Sequence, residues 1–241
     1  MEGLTDIHCH MLPHVDDGAR SEEEAMAMLK AAYADGIRTI ILTPHFRPER
    51  WKWTAGDFLH AWESLAWKAV KKWPDLKLFV GNELYYRQEI QQMLSDGQCL
   101  TMAKTRYALT EFSPSQHFPY MRDAVCELTA QGYLPILAHV ERYECLEGRM
   151  DRIEELSDRG AYLQANADSI LKTAGVFGNK FLKKLLKKEY IDFIGSDSHD
   201  LKSRPPSLSR CADYIQKKFN REYAERILFQ NPKRLLEDKE L

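Results

Sequence analysis

Histidines and carboxylates recur in this sequence where strand-like runs end. The first run closes on Asp6-Ile7-His8-Cys9-His10. Side chains alternate along a strand, so His8 and His10 share a face, and two imidazoles so spaced make half a metal site. Asp16-Asp17-Gly18 follows in the next loop. Thr43-Pro44-His45 closes the second run, Gly81-Asn82-Glu83 the third, Thr110-Glu111-Phe112 the fourth, Ala138-His139 the fifth and Ser196-Asp197-Ser198-His199 the seventh. The sixth run offers no His or carboxylate at its end, only Asn166 and Asp168 just beyond. Singly, each residue has an ordinary reading: an HxH arises by chance, and a lone Glu usually pairs with a cation. Together they do not, because independent polar residues have no reason to gather at one end of a fold. Crowded carboxylates also repel and lose hydration when buried, a conflict that bound cations resolve. Imidazole and carboxylate without thiolate suit Mn, Fe or Zn. The ligands outnumber the needs of one ion, so two or three fit better. Such ions activate water near neutral pH and stabilise the oxygens of an in-line displacement, which points to phosphoester hydrolysis.

The elements that must position these residues alternate along the chain. Strand candidates are 4–8, 37–43, 76–82, 107–112, 134–138, 161–165 and 191–195. Helical patterns cover 21–35, 55–73 and about 86–96, 120–131, 149–159, 178–188, 207–218 and 221–229. Ser21 and Glu24 have capping-box spacing, and Asp35-Gly36 is a helix stop. In 55–73 an apolar stripe runs through Phe58, Trp62, Leu65, Ala66, Ala69 and Val70. Strand–helix alternation means a mostly parallel sheet. Seven strands predict an irregular, TIM-like (β/α)7 barrel, with one domain over 1–241 and a doubly wound open sheet as the alternative. In a barrel, the carboxyl ends of the strands form one rim of one cavity.

A net charge of −2 gives no electrostatic footprint for nucleic acid. No apolar run approaches the roughly 20 residues that span a bilayer, and no signal peptide is evident. The five cysteines are scattered without a CxxC pair, as expected of reduced thiols in the cytoplasm. Thiol tyrosine phosphatases place Arg six positions after the nucleophilic Cys. Here Val15, Thr105, Gly132, Asp151 and Lys217 occupy those positions, so no cysteine fits. Cys9 should point away from His8 and His10 and be buried.

The motifs DIHCH (6–10), DDG (16–18), TPH (43–45), GNELYY (81–86), EF (111–112), AHVERY (138–143), and SDSH with SRPP (196–206) resemble, in order along nearly the whole chain, the polymerase and histidinol phosphatase (PHP) superfamily. The likeness is to its bacterial tyrosine-phosphatase branch of capsule and exopolysaccharide regulation. The resemblance implies a (β/α)7 barrel with three metals, usually Mn²⁺. His8, His10, Glu83 and Asp197 would hold one ion. Glu83, Glu111 and His139 would hold a second, and Asp17, His45 and His199 a third. Asp17 is preferred to Asp16 as the second Asp of DDG. Arg142 and Arg204 match the family's phosphate-binding arginines, and planar guanidinium groups suit that task. The implied substrate is phosphotyrosine on a bacterial tyrosine kinase that controls polysaccharide export. The sequence departs from the pattern at Val140, where many members have Pro, at His14, where many have Gly, and after His45, where no further His follows.

Two rival functions stand beside this one: a small-molecule phosphatase, such as one for histidinol phosphate, and a non-catalytic metal-binding regulatory subunit. An oligomer is compatible with either. All five tryptophans fall within 51–73. Trp51 and Trp53, with Arg47, Arg50 and Lys52, form either a lip for an aromatic phosphoester or a loop packed on the rim. The basic helix around 180–190 reads as a solvated face, and His60 and His117 as structural.

Overall fold

Two strands are broken because the sequence breaks them. The structure, a computed structural model, describes residues 3–175 and 179–241. Strand β1 (Leu4–Cys9) pairs in parallel with β2 (Ile37–Leu42). Pro44 has no N–H for a ladder, so the second run stops and resumes as the two-residue β3 (His45–Phe46). The third is split into β4 (Lys77–Val80) and β5 (Glu83–Tyr85) at Gly81-Asn82. There the chain lies so close to the next loop that a Cβ on Gly81 would come within 2.8 Å of Met102 Cα. Pairing continues across both breaks: Gly81 N–H donates to Leu42 O (2.9 Å) and Glu83 N–H to Pro44 O (3.1 Å). Parallel pairing then runs through β6 (Tyr107–Glu111), β7 (Leu134–Leu137), β8 (Tyr162–Asn166) and β9 (Phe193–Gly195). The sheet curls back on itself. Asp197 N–H donates to His8 O and His10 N–H to Ser198 O, both at 2.8 Å. This return from β9 to β1 gives the irregular (β/α)7 barrel and removes the open doubly wound sheet.

Around the sheet lie α1 (Glu22–Ala34), α2 (Ala55–Lys72), α3 (Ile90–Ser95), α4 (Phe118–Ala130), α5 (Met150–Asp158), α6 (Ala167–Lys172), α7 (Lys180–Lys187), α8 (Ser209–Lys218), α9 (Arg221–Glu225) and α10 (Asn231–Leu236). Ser21 caps α1 by accepting from Glu24 N–H at 3.2 Å. The helix expected from 86 begins only at Ile90, because Tyr86 N–H still donates to Glu111 O (2.8 Å) and keeps the chain extended. The helix expected over 221–229 ends as α9 at Glu225; a π-turn over 226–230 then leads into α10. Neither α6 nor α10 was expected from periodicity, each being a short six-residue helix. The expected start of the seventh helix, residue 178, lies outside the described residues. Phe58, Leu65 and Ala69 of the α2 stripe are buried, but Val70 is 48% exposed and leaves the stripe. In α7, Phe181, Leu182, Leu185 and Leu186 face inward and the lysines face solvent, as expected of a solvated basic face.

Among the described residues, the buried apolar side chains form two clusters. The larger joins the helices to one face of the sheet, through Ile40, Ala108, Leu137 and Ile194 among others. The smaller holds Ile7, Ile41, Tyr107, Leu109, Ile136 and Phe193 inside the barrel, with Leu235 of α10 packed into it. Strand alternation separates the two sets. It fails once in β1, where Ile7 belongs to the inner cluster and Cys9 to the outer one. Asp6 pairs with Ile40 and Cys9 with Leu42, so three steps on β1 oppose two on β2. That bulge lets His8 follow Ile7 into the barrel.

Candidate metal centre

Six of the seven strand runs, with the loop after β1, bring the nine residues singled out as ligands to one rim. The His8 and His10 Nε2 atoms lie 3.3 Å apart. Glu83 stands between them, with Oε2 at 3.3 Å from His8 Nε2, 3.2 Å from His10 Nε2 and 3.0 Å from His45 Nδ1. Its other oxygen lies 2.9 Å from His139 Nε2. Glu111 flanks it, 3.6 Å from both His45 Nδ1 and His139 Nε2. Asp197 Oδ1 is 3.7 Å from His8 Nε2 and 3.5 Å from His10 Nε2. Asp17 Oδ1 is 3.6 Å from the Nε2 atoms of both His45 and His199. Among the described residues, donor atoms within 4.8 Å of one another form three groups: His8, His10 and Asp197; His10, Asp17, His45 and His199; and His45, Glu83 and Glu111. Compared with the division implied by resemblance, His10 and His45 are each shared between neighbouring groups. His60 and His117 are exposed and belong to none of the three.

The donor set fits cations. Glu83 Oε2 is buried and has no hydrogen-bond partner, although three imidazole nitrogens surround it. Atoms that converge without pairing are arranged for something between them. Electrostatics agree. Burial lowers the His8 imidazole, but the Glu83 and Asp197 carboxylates raise it by more. Burial likewise opposes the charged form of His10, but Asp16, Asp197 and Glu83 together raise it well above its ordinary value. Burial, then the neighbouring Glu83, raises Glu111. Burial and the adjacent His10 push His199 down to about 3. The carboxylates thus draw positive charge onto His8, His10 and His45, a demand that divalent cations meet directly.

Local structure explains the aim of several side chains. Asp16, passed over in favour of Asp17, is buried and orienting: Oδ2 accepts from His10 Nδ1 (2.7 Å) and His45 N–H (3.0 Å), and Oδ1 from Gly18 N–H (2.9 Å). Gly18 has no room for a side chain, since a Cβ would lie 2.0 Å from His10 O. His14 sits in the left-handed region (φ 66°), which glycine favours. His139 (φ 37°) and Asp197 (φ 51°) are left-handed too. In His139 this turns the side chain inward directly after the inward Ala138. Cys9 points away, its Sγ 3.7 Å from Ile41 O, and burial raises its thiol.

Two arginines close over the rim. Arg142 Nη2 donates to Asp197 Oδ2 at 2.6 Å, and Arg204 Nη1 lies 3.8 Å from the same oxygen. Arg142 is 39% exposed, so its guanidinium faces an opening. That opening is a cavity of about 230 Å³ bounded by the cluster, both arginines and Arg47, Arg50 and Trp51. The Trp51 ring lies nearly parallel to His45 (6°, centroids 5.8 Å apart), and the Arg50 guanidinium lies 4.3 Å from the Trp51 ring centroid. The Trp/Arg loop is therefore a wall of the cavity, while the 38% exposed Trp53 is not.

Residues 4–237 match the family model for capsular polysaccharide synthesis, CpsB/CapC. The chain belongs to the CpsB/CapC family. This family member is 32% identical over 241 residues to the tyrosine-protein phosphatase CpsB of Streptococcus pneumoniae, covering 98% of the chain and 99% of that relative. It is 33% identical to the tyrosine-protein phosphatase YwqE of Bacillus subtilis, over 91% of the chain and 86% of YwqE. A crystal structure from work on YwqE and CpsB, described as unique metal-dependent tyrosine phosphatases, superposes with a TM-score of 0.89 at 31% identity, covering 98% of this CpsB/CapC-family chain and 95% of that one.

Sequence reasoning placed a strand at 161–165, where β8 lies, but not the part its side chains play. Gln164 and Asn166 point into the barrel beside the ligands, both buried. Their neutral amides carry no ligand signature. Only their alternation, at the end of a strand whose neighbours carry ligands, distinguishes them in the sequence.

Proposed function

We propose that this chain is a metal-dependent protein-tyrosine phosphatase, with residues 1–241 acting as one domain in the cytoplasm. Its substrate would be phosphotyrosine on a bacterial tyrosine kinase that controls capsule or exopolysaccharide synthesis. His8, His10, Asp17, His45, Glu83, Glu111, His139, Asp197 and His199 would hold three divalent cations, with Mn²⁺ foremost and Fe or Zn as alternatives. The observation that carries the reading is the convergence of Arg142 and Arg204 on Asp197, at the open side of the ligand cluster. The names of the relatives point the same way.

When bound, such cations supply a water activated near neutral pH and stabilise phosphoryl oxygens. The protein's own groups do the rest. Arg142 and Arg204 grip the non-bridging oxygens of the ester and oppose the charge that develops there. Trp51, backed by His45, offers a flat wall for an aryl ring. Asp16 and the backbone around Gly18 keep His10 and His45 aimed at the cavity. Tyrosine leaves as a phenol with a pKa of about 10, so a strong general acid is not demanded.

The test is hydrolysis of a phosphotyrosine peptide and of histidinol phosphate by purified protein, after chelation and again with Mn²⁺. Turnover of the peptide that vanishes on chelation and returns with Mn²⁺ supports the proposal. Turnover of histidinol phosphate alone moves the protein to small-molecule metabolism. Silence on both, with metal bound, favours the regulatory-subunit reading.

A further inference from the structure

The strand that supplies no ligand has a side chain that joins two ligands at the rim and reaches toward a third. Gln164 is fully buried. His139 N–H donates to its Oε1 at 2.8 Å, and His8 Nδ1 lies 3.1 Å from the same oxygen. Gln164 Nε2 donates to Asn166 Oδ1 at 2.9 Å, and Asn166 Nδ2 donates to Asp197 Oδ2 at 2.8 Å. The direction of every bond follows from the first. A backbone N–H only donates, so the amide atom facing His139 is the oxygen. An oxygen only accepts, so His8 must present Nδ1–H to it. The neutral His8 ring then keeps its lone pair on Nε2, the atom aimed at His10 and Glu83. The Gln164 nitrogen is left to donate to Asn166 Oδ1, which turns the Asn166 nitrogen toward the Asp197 carboxylate.

We propose that Gln164 is the positioning residue of the cluster, its two amide atoms setting His8, His139 and, through Asn166, Asp197. The inference rests on the reading of the rim as a divalent-cation site. It accounts for two features together. His139 and Asp197 are held in left-handed backbone that non-glycine residues adopt only when their surroundings fix them, and the relay grips both. Gly195 is also accounted for, because a Cβ there would stand 3.2 Å from Gln164 Nε2 and 2.5 Å from His8 Cβ. Partners of this kind fix the tautomer and orientation of a ligand, and removing them typically costs about 10- to 100-fold in metal affinity.

The experiment is calorimetric titration of metal-free protein with Mn²⁺, paired with the visible spectrum of the Co²⁺-loaded protein. Gln164→Leu keeps the volume and removes all three hydrogen bonds. Asn166→Ala breaks only the arm to Asp197. Asn231→Ala is the control for lost stability: it removes a buried hydrogen bond to Asp192 O (2.9 Å) at the opposite end of β9. The expected result is about a 10- to 100-fold loss of Mn²⁺ affinity in Gln164→Leu and a smaller loss in Asn166→Ala. The double variant should be no worse than Gln164→Leu, because the two act in series. The Co²⁺ bands should shift in both, and Asn231→Ala should melt earlier but bind Mn²⁺ normally. Wild-type affinity and spectrum in Gln164→Leu, or an equal loss of affinity in Asn231→Ala, would overturn the inference. If the unaltered protein binds no Mn²⁺, the cation-site reading itself fails instead.

Discussion

Arg142 and Asp197 express the central tension of the site. Asp197 is buried, faces the imidazoles of His8, His10 and His199 on one oxygen and receives Arg142 and Asn166 on the other. Arg142 can therefore meet a phosphate without being a ligand itself. Arg142→Ala should lower kcat on a phosphotyrosine peptide by about 100- to 1,000-fold, the scale for removing one charge-stabilising donor, while metal content measured by mass spectrometry stays unchanged. Arg142→Lys should recover only part of the loss, since an ammonium lacks the planar fork. Full activity in Arg142→Ala would remove this residue from the mechanism. Gly195 makes a steric prediction. In Gly195→Ala the new methyl group must displace His8, because 2.5 Å is closer than carbon atoms approach. The expected outcome is a protein that retains its circular dichroism but binds less than the normal complement of Mn²⁺.

Strand β9 carries a cost at the end away from the chemistry. Asp192 lies just before it, and its Oδ2 accepts from Leu163 N–H at 2.8 Å. Burial raises its pKa from 3.8 to about 7, against the smaller opposing effects of that hydrogen bond and Arg226. The folded protein therefore holds this proton over a range in which the unfolded chain has released it. Stability from this group is greatest below about pH 4 and falls as pH rises toward 7. Asp192→Asn can still accept from Leu163 and never ionises. It should gain at most about 4 kcal/mol over the natural chain at pH 8, from roughly three pKa units at 1.36 kcal/mol each, and nothing at pH 4. Urea unfolding at the two pH values measures this. An equal effect of the substitution at both would show that Asp192 is not shifted.

For the whole molecule, the barrel is filled in its middle and sealed at its base. Leu235 of α10 is completely buried in the inner cluster with Tyr107 and Phe193. The last residues fasten below it: Tyr107 Oη donates to Lys239 O at 2.7 Å, and Arg106 reaches Asp238 and Glu240. Leu235→Ala should cost about 2–5 kcal/mol, the usual range for a buried Leu→Ala cavity. That is of order 10 °C in melting temperature for a chain of this size. Mn²⁺ binding in the folded state should persist, because the cavity opens at the end of the barrel opposite the ligands. Loss of metal in a still-folded Leu235→Ala would mean that the two ends are coupled.

The sequence by itself determined the strand–helix alternation and the polar character of one rim; closure into a barrel rather than an open sheet was decided by the pairing of β9 with β1. Alternating runs marked seven strands, six of them followed by a His or carboxylate, and the family resemblance then implied the nine residues from His8 to His199 as one set of ligands. What it did not determine is where a side chain points when the backbone departs from regular alternation. The bulge that brings His8 inward after Ile7, and the left-handed turn that does the same for His139 after Ala138, exist only through pairing with neighbouring strands. The roles of Asp16 and Gln164 were hidden for a related reason. Neither residue type, nor position relative to a strand end, says which of two adjacent carboxylates meets the cavity, or that a neutral amide bridges residues 25 and 156 positions away. Those assignments depend on hydrogen bonds between distant strands, and only the closed barrel brings them within reach.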